Sequence, residues 1–451
     1  MAGLTERGNT MTDRTLRQVF AAAALFAGTM GYAAGTIGFS FTSNRADALY
    51  TCGEEAVFTV TATNGAGEAV REGTIRAELD NYGGTCFTVE PKIEFAKTNP
   101  FVMKGTLAKP GFLRIKLSGK DPQGNWISDQ WSVGFDVEKI RPGSERPGDF
   151  DTFWDDAIAA LDRDVPADVK MERDAKASDA KTDCYRVSVA TVPAGRRIRG
   201  QLSIPKGEGP WPVRLNVPGA GSGSWGFGKN PAAVTFTVNV LSYPPPATPE
   251  ETKAAYAEEN RAWGSKSGKA WYFEGGITLS REEYFYYGAI LGINRAVRWL
   301  LKRPEVDLKE VTYSGGSQGG AFGLILAALN PEITRAQIIE PALTDLLGYK
   351  ADKRQSGWPT LPEKFQGAER ERVYAIAPYF DCAHFAARVK CPVRFMAGFS
   401  DALCPPAAVY AGYNSLPAGT DKKIYNAIGV GHGVPAKSFA AAIREVEALW
   451  K

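Results

Sequence analysis

Histidine is almost missing from this chain. Its 451 residues include two, His384 and His432. Any chemistry that needs an imidazole base has two candidates, and a His-rich metal centre is excluded. Cysteine is sparse as well. The six thiols form no CxxC pair and no Cys/His cluster, so no metal site is expected, and nothing in the sequence calls for a cofactor. No interior apolar run reaches the length of a bilayer span, so no stable membrane span is expected. Basic runs are lacking and the formal net charge is only +3, which argues against nucleic acid or an anionic membrane surface as partner. There is no low-complexity tract and no internal repeat. A hydrophobic content of 44% with 23% charged residues excludes a disordered chain, and the length exceeds one typical domain.

What is present begins with a leader-like pattern. Arg14 and Arg17 precede VFAAAALFAG, and the small residues Gly31, Ala33 and Ala34 follow. Positive, apolar and small in that order describes a secretory signal peptide over residues 1–34, and a short membrane anchor or a frayed helix is the other reading. Met11 stands just before the basic residues and offers an alternative start. The expected location is secreted or periplasmic, a compartment that permits disulfides.

From residue 36 to 138 short alternating segments such as AVFTVTAT and FLRIKLSG are punctuated by Gly, Asn and Pro, as in NGAG and DPQGN. That pattern predicts a small immunoglobulin-like β-sandwich. It holds no histidine, so an accessory module is expected, with a sugar-binding surface using Trp126 or Trp131 as the alternative. KIRPGSERPGDF, with two Pro-Gly steps, reads as an exposed linker over residues 139–150, and the body beyond is expected to fold without the sandwich. Over residues 151–451 strand-like runs alternate with helical ones. CYRVSVATV and GRRIRGQLSIP suggest an antiparallel pair; TFTVNVLSY, EVTYSG, AQIIE, VRFMAG and KKIYNAI suggest parallel strands. The expectation is an α/β fold, a mostly parallel sheet with helices on both faces.

One stretch carries the chemistry. VTYSGGSQGGAFGLILAALN sets Ser317 in G-x-S-x-G between a strand and a helix. The sharp turn there strains the serine, requires Gly315 and Gly319 on either side, and offers helix N-terminal N–H groups to an oxyanion. A serine hydroxyl needs a base. His432, in the loop GVGHGVP after the last strand, fits the chain order Ser, acid, His, whereas His384 sits in a helix-like segment and suits packing. Asp401 follows the buried strand VRFMAG and suits the acid; Asp381 precedes a helix and Asp421 precedes a strand. The oxyanion N–H groups are expected from Gln318, after the serine, and from Ala220 in the loop Pro218-Gly219-Ala220-Gly221.

RPGDFDTFWDDAIAAL, GGSQGGAFGLILAALN, YFDCAHFAARVKCPV, GFSDALCPPAAVYAGYNSL and GHGVP together resemble the acetyl xylan esterase and cephalosporin-C deacetylase family, over roughly residues 145–451. The resemblance implies an α/β-hydrolase that removes acetyl groups from acetylated oligo- or polysaccharides such as xylan. It assigns Ser317, Asp401 and His432 to the triad, and Gln318 and Ala220 to the oxyanion N–H groups. EPALTDLLGYKADKRQSGWP is most similar to members carrying an extra N-terminal β-domain.

Two departures weigh against cephalosporin activity and the hexameric assembly of compact members. Pro218-Gly219-Ala220 stands where the family usually has His-Gly-Tyr, and SYPPPATPEETK replaces an Arg-Gly-Gln turn. The insertion AWGSKSGKAWYFEGG brings Trp263, Trp271, Tyr272 and Phe273, which either line a sugar cleft or pack as core. Competing readings are a prolyl-oligopeptidase-like serine peptidase, weakened by Gln318 where an aromatic is usual, and a polysaccharide-binding protein with a hydrolase-like body. The oligomeric state is left open by the sequence.

Overall fold

The computed structural model describes residues 37–451 other than 84, 434 and 435. The expected signal peptide lies outside the described residues. The first layer pair is a sandwich. One sheet joins β1 (Gly38–Ser43), β3 (Ala56–Thr63) and β6 (Phe101–Gly105). The other runs in the order β2 (Leu49–Tyr50), β8 (Trp126–Phe135), β7 (Gly111–Lys120), β4 (Thr74–Asp80), β5 (Cys86–Glu94). Period-two alternation builds it: Ala56, Phe58, Val60 and Ala62 of β3 are buried while the residues between them are not. Trp131 of β8, named with Trp126 for the alternative sugar-binding surface, is buried between Phe41 and Phe58. Trp126 is exposed.

The body is built on a nine-stranded sheet in the order β17 (Lys422–Ala427), β16 (Val393–Gly398), β15 (Arg335–Ile339), β14 (Val306–Gly316), β12 (Trp211–Asn216), β13 (Val234–Asn239), β11 (Arg197–Pro205), β10 (Thr182–Ala190), β9 (Lys170–Arg173). The six strands from β17 to β13 pair in parallel; β11, β10 and β9 extend the sheet antiparallel. Each strand expected from the sequence is present. All six residues of β16 are buried, because helices cover both faces. Phe395 and Ala397 pack in the main core, whereas Met396 joins a second core with Ala442, Ile443 and Val446 of the last helix, Ala436–Ala448. The parallel strands all point their carboxyl ends to one edge, and that edge collects the loops that carry Ser317, Asp401 and His432.

Residues 139–150 are not an exposed linker. Ile140 is buried, and Asn414 Nδ2 donates to the carbonyls of Val137 (2.8 Å) and Ile140 (3.0 Å). The Gly143 N–H donates to Asp345 Oδ1 at 2.6 Å, and a side chain at Gly143 would meet the Leu347 carbonyl at 2.3 Å. The strap leads into the helix Phe150–Asp164, whose Phe150, Trp154, Ala157 and Leu161 form the apolar stripe the sequence shows. Two Pro-Gly steps announce a break in periodicity, but they do not encode the surface on which the strap lies. The sandwich is likewise packed on the body, with Phe112 edge-on to Phe399 at 4.9 Å between ring centroids. All six cysteines are unpaired thiols.

Candidate active site

β14 ends at Gly316, the helix Gln318–Leu329 begins two residues later, and Ser317 between them has φ 56° and ψ −125°. This is a sparsely populated conformation for a residue with a side chain, and the surroundings hold it there. Its N–H donates to the Ile339 carbonyl (2.9 Å), and its carbonyl accepts from Ala321 and Ala342 (3.0 Å each). The flanking glycines are sterically required. A Cβ on Gly319 would stand 2.1 Å from the Val217 carbonyl, and one on Gly315 2.7 Å from the Gly319 carbonyl.

The Gln318 side chain is buried and turned away from the serine. Its Oε1 accepts from the hydroxyls of Tyr272 (2.9 Å) and Tyr286 (2.7 Å), and its Nε2 donates to the Pro218 carbonyl (3.2 Å). That last bond ties the elbow to the loop carrying Gly219 and Ala220. A Cβ at Gly219 would lie 3.9 Å from that of Ser317. The backbone N–H of Gln318, in the first turn of a helix, has no carbonyl four residues back to bond.

Asp401 follows β16 and is fully buried. Its Oδ1 accepts from the N–H groups of Leu403 (2.7 Å) and Cys404 (2.8 Å), and its Oδ2 lies 2.7 Å from His432 Nδ1. An all-acceptor carboxylate of this kind fixes the ring tautomer that carries hydrogen on Nδ1 and leaves Nε2 free to accept. His432 sits in the loop after β17 and Ser317 at the end of β14, both only partly covered.

A second carboxylate reaches the same ring. Glu340, just past the end of β15, has φ 41° and places Oε2 3.4 Å from His432 Nδ1. Burial, then the neighbouring Asp401, pushes its carboxyl well above the usual range. Its Oε1 has no hydrogen-bond partner among the described residues, and a Cβ at Gly398 would come within 2.2 Å of it. Sequence reasoning passed over Glu340. The signal was there, since Glu340 is an acid at the end of a parallel strand between the serine and the histidine.

Burial of the His432 ring opposes its charging, but the Asp401 carboxylate outweighs this and holds its pKa well above the ordinary imidazole value. With His432 as the base, which works only unprotonated, activity would be lost as pH falls through that raised pKa. The acid limb of a kcat/KM against pH profile on a soluble acetate ester is therefore expected above the ordinary histidine range, and in Asp401→Asn it should move down. A wild-type limb at or below the ordinary range would contradict this.

The competitors are engaged elsewhere. His384 is buried, with Nε2 3.1 Å from Ser144 Oγ, and burial followed by the Arg146 charge lowers its pKa to about 4. Asp381 caps the short helix Cys382–Ala386 and also accepts from the N–H groups of Asp345 and Leu346. Asp421 pairs with Arg394. Of the aromatics proposed for sugar contact, Tyr272 does not line a cleft. It is fully buried, packed against Phe273 and Phe285, with its hydroxyl donating to Gln318. Trp263 is partly covered between Arg196 and Lys266, while Trp271 remains 38% exposed and stacks on Phe273. Asp401, Cys404 and His432 bring ligand-type atoms within 4.8 Å of one another. Those atoms are already committed: the carboxylate is bonded as above, and burial pushes the Cys404 thiol up to about 11, keeping it protonated beside the ring.

Strand order and elbow together place the chain among the α/β-hydrolases. Two solved structures share the fold: an acetyl xylan esterase from Paenibacillus sp. R4 (24% identity, TM-score 0.53, 69% of this chain and 98% of that one) and acetyl xylan esterase 1 from Thermoanaerobacterium sp. JW/SL YS485 (21%, 0.54, 70% and 98%). Residues 135–437 match the family model for acetyl xylan esterase, AXE1. The acetyl esterase Axe7A of Xylanibacter ruminicola is 32% identical over 340 residues, 73% of each chain. The chain belongs to the acetyl xylan esterase family and is a carboxylic ester hydrolase.

Proposed function

We propose that this protein is an exported esterase that removes O-acetyl groups from acetylated oligo- or polysaccharides, xylan among them, through a Ser-His-Asp acyl-enzyme mechanism. The observation that carries the mechanism is the 2.7 Å bond between His432 Nδ1 and Asp401, on the same sheet edge as the strained Ser317. Family membership supports the substrate class, and the leader-like residues 1–34 support export.

In this reading Ser317 Oγ attacks the acetyl carbonyl carbon and its proton passes to His432 Nε2. The oxygen of the tetrahedral intermediate takes hydrogen bonds from the N–H groups of Gln318 and Ala220. Collapse breaks the ester bond, and the departing sugar oxygen takes the proton from His432. Water, deprotonated by the same nitrogen, then attacks acetyl-Ser317. The proton returns to Oγ and acetate leaves. Asp401 stabilises the imidazolium in both halves.

The test is acetate release from acetylated xylan, acetylated xylo-oligosaccharides and cephalosporin C, with an aminoacyl-proline amide as the peptidase control. Turnover of the carbohydrates with none of the amide is expected; the reverse would overturn the proposal. A pocket shaped for acetyl gains nothing from a longer chain that it must exclude. Octanoyl esters are therefore expected to react at least about tenfold more slowly than acetyl esters of the same alcohol. Equal rates would mean an open, lipase-like cleft.

A further inference from the structure

The sandwich, in which the sequence shows no catalytic group, reaches the loop that carries the acid. The hydroxyls of Tyr82 and Ser132 both donate to the Phe399 carbonyl, and Gln130 Nε2 donates to the Ser400 carbonyl at 2.7 Å. These are the two residues immediately before Asp401. Their own N–H groups are held from the other side by Ala427 (3.0 Å) and Val430 (2.9 Å), at the end of β17 and in the loop leading to His432. The sandwich also abuts that second loop: a Cβ on Gly429 would stand 3.1 Å from Trp131 Nε1.

The donors are themselves fixed by a cross-strand network. Asp80 of β4, Arg114 of β7 and Ser132 of β8 are paired in register across the sheet. Arg114 makes two hydrogen bonds to Asp80 (2.8 and 2.7 Å), both partners buried, and a third to Gln130 Oε1 at 3.1 Å. Because Oε1 of Gln130 accepts from Arg114, its amide nitrogen must face the Ser400 carbonyl. The same guanidinium lies 4.4 Å over the Tyr82 ring, and Tyr82 adopts φ 67°, with its N–H on Asp80 Oδ1 at 2.9 Å. A loop peptide without these donors would still lie in place on average. It would be free to tilt, and Asp401 with it, and a shift of about 1 Å in a catalytic constellation can cost on the order of a hundredfold in rate.

We infer that the N-terminal sandwich is a positioning element of the active site, with Tyr82, Gln130 and Ser132 holding the Phe399–Ser400 backbone so that Asp401 keeps its bond to His432. The inference rests on Asp401 being the catalytic acid, so its test carries Asp401→Asn as a separate arm.

The full chain would be prepared as Tyr82→Phe, Gln130→Ala, the double variant Tyr82→Phe/Ser132→Ala, and Ser132→Thr. For each, kcat and KM on a soluble acetate ester would be measured beside the thermal midpoint. The double variant is expected to lose about tenfold or more in kcat with KM within about twofold, and Gln130→Ala about threefold. Tyr82→Phe alone should be milder, since Ser132 still donates, and Ser132→Thr, which keeps the hydroxyl, should stay close to wild type. A double variant with a lowered midpoint but undiminished kcat would overturn the inference and leave the contact merely structural. If the double variant does not fold, Gln130→Ala decides, because Gln130 is only partly buried. Undiminished kcat there overturns the inference. Full activity in Asp401→Asn would instead refute the assignment of the acid, whatever the sandwich variants do.

Discussion

Ser317→Ala is expected to lower turnover of a soluble acetate ester by at least about three orders of magnitude, with the folded structure unchanged. Nucleophile and base act as one unit, so removing the oxygen loses the whole covalent route and leaves only binding and the oxyanion N–H groups. Folding should survive because the φ 56° backbone is imposed by the glycine-lined elbow and its hydrogen bonds to Ile339, Ala321 and Ala342, none of which involves the hydroxyl. Two measurements check it. Acetate release gives the rate, and mass spectrometry after treatment with an acyl or phosphonyl probe should show one adduct on wild type, at Ser317, and none on the variant. An active variant, or an adduct elsewhere, would move the nucleophile.

His432→Ala is expected to cost a comparable factor, and His384→Ala at most a few-fold in rate with a lower thermal midpoint. The two histidines differ in surroundings: His384 is buried against Ser144 and Phe150, and His432 is bonded to Asp401. Asp401→Asn should fall by about two orders of magnitude, less than the ~10⁴ expected where a lone acid is lost. The reason is Glu340. With Asp401 replaced, one of the causes that raise the Glu340 carboxyl is removed, and its Oε2 already stands 3.4 Å from the ring nitrogen. The double variant Asp401→Asn/Glu340→Gln should therefore drop below Asp401→Asn alone. Equal rates in the two would show that Glu340 does not stand in. Inactivation by His384→Ala with an active His432→Ala would reverse the assignment of the base.

Much of this was legible in the chain. Strands of a mostly parallel sheet are short, apolar and bounded by turn residues, and VRFMAG, AQIIE and EVTYSG carry that pattern locally. The elbow is legible for a steric reason: a backbone that approaches Val217 and its own glycines this closely admits no side chain, so Gly315 and Gly319 stand in the sequence as the trace of the geometry. With two histidines in the chain, position after the last strand singled out His432 as the candidate base. The two readings of Tyr272 stayed open because an aromatic in an insertion looks the same in sequence whether it faces a cleft or a buried amide.

The sequence by itself determined the order of elements, the site of the elbow and the identities of serine, acid and base candidates, because propensity, periodicity and steric exclusion act between near neighbours. Only the tertiary structure decided what lies beside them. Tyr82 and Phe399 are 317 positions apart, and the His432 ring meets a second carboxylate 92 positions upstream. Contacts of that separation are set by how the sheets pack and by which carbonyls each must satisfy, and no local pattern records them.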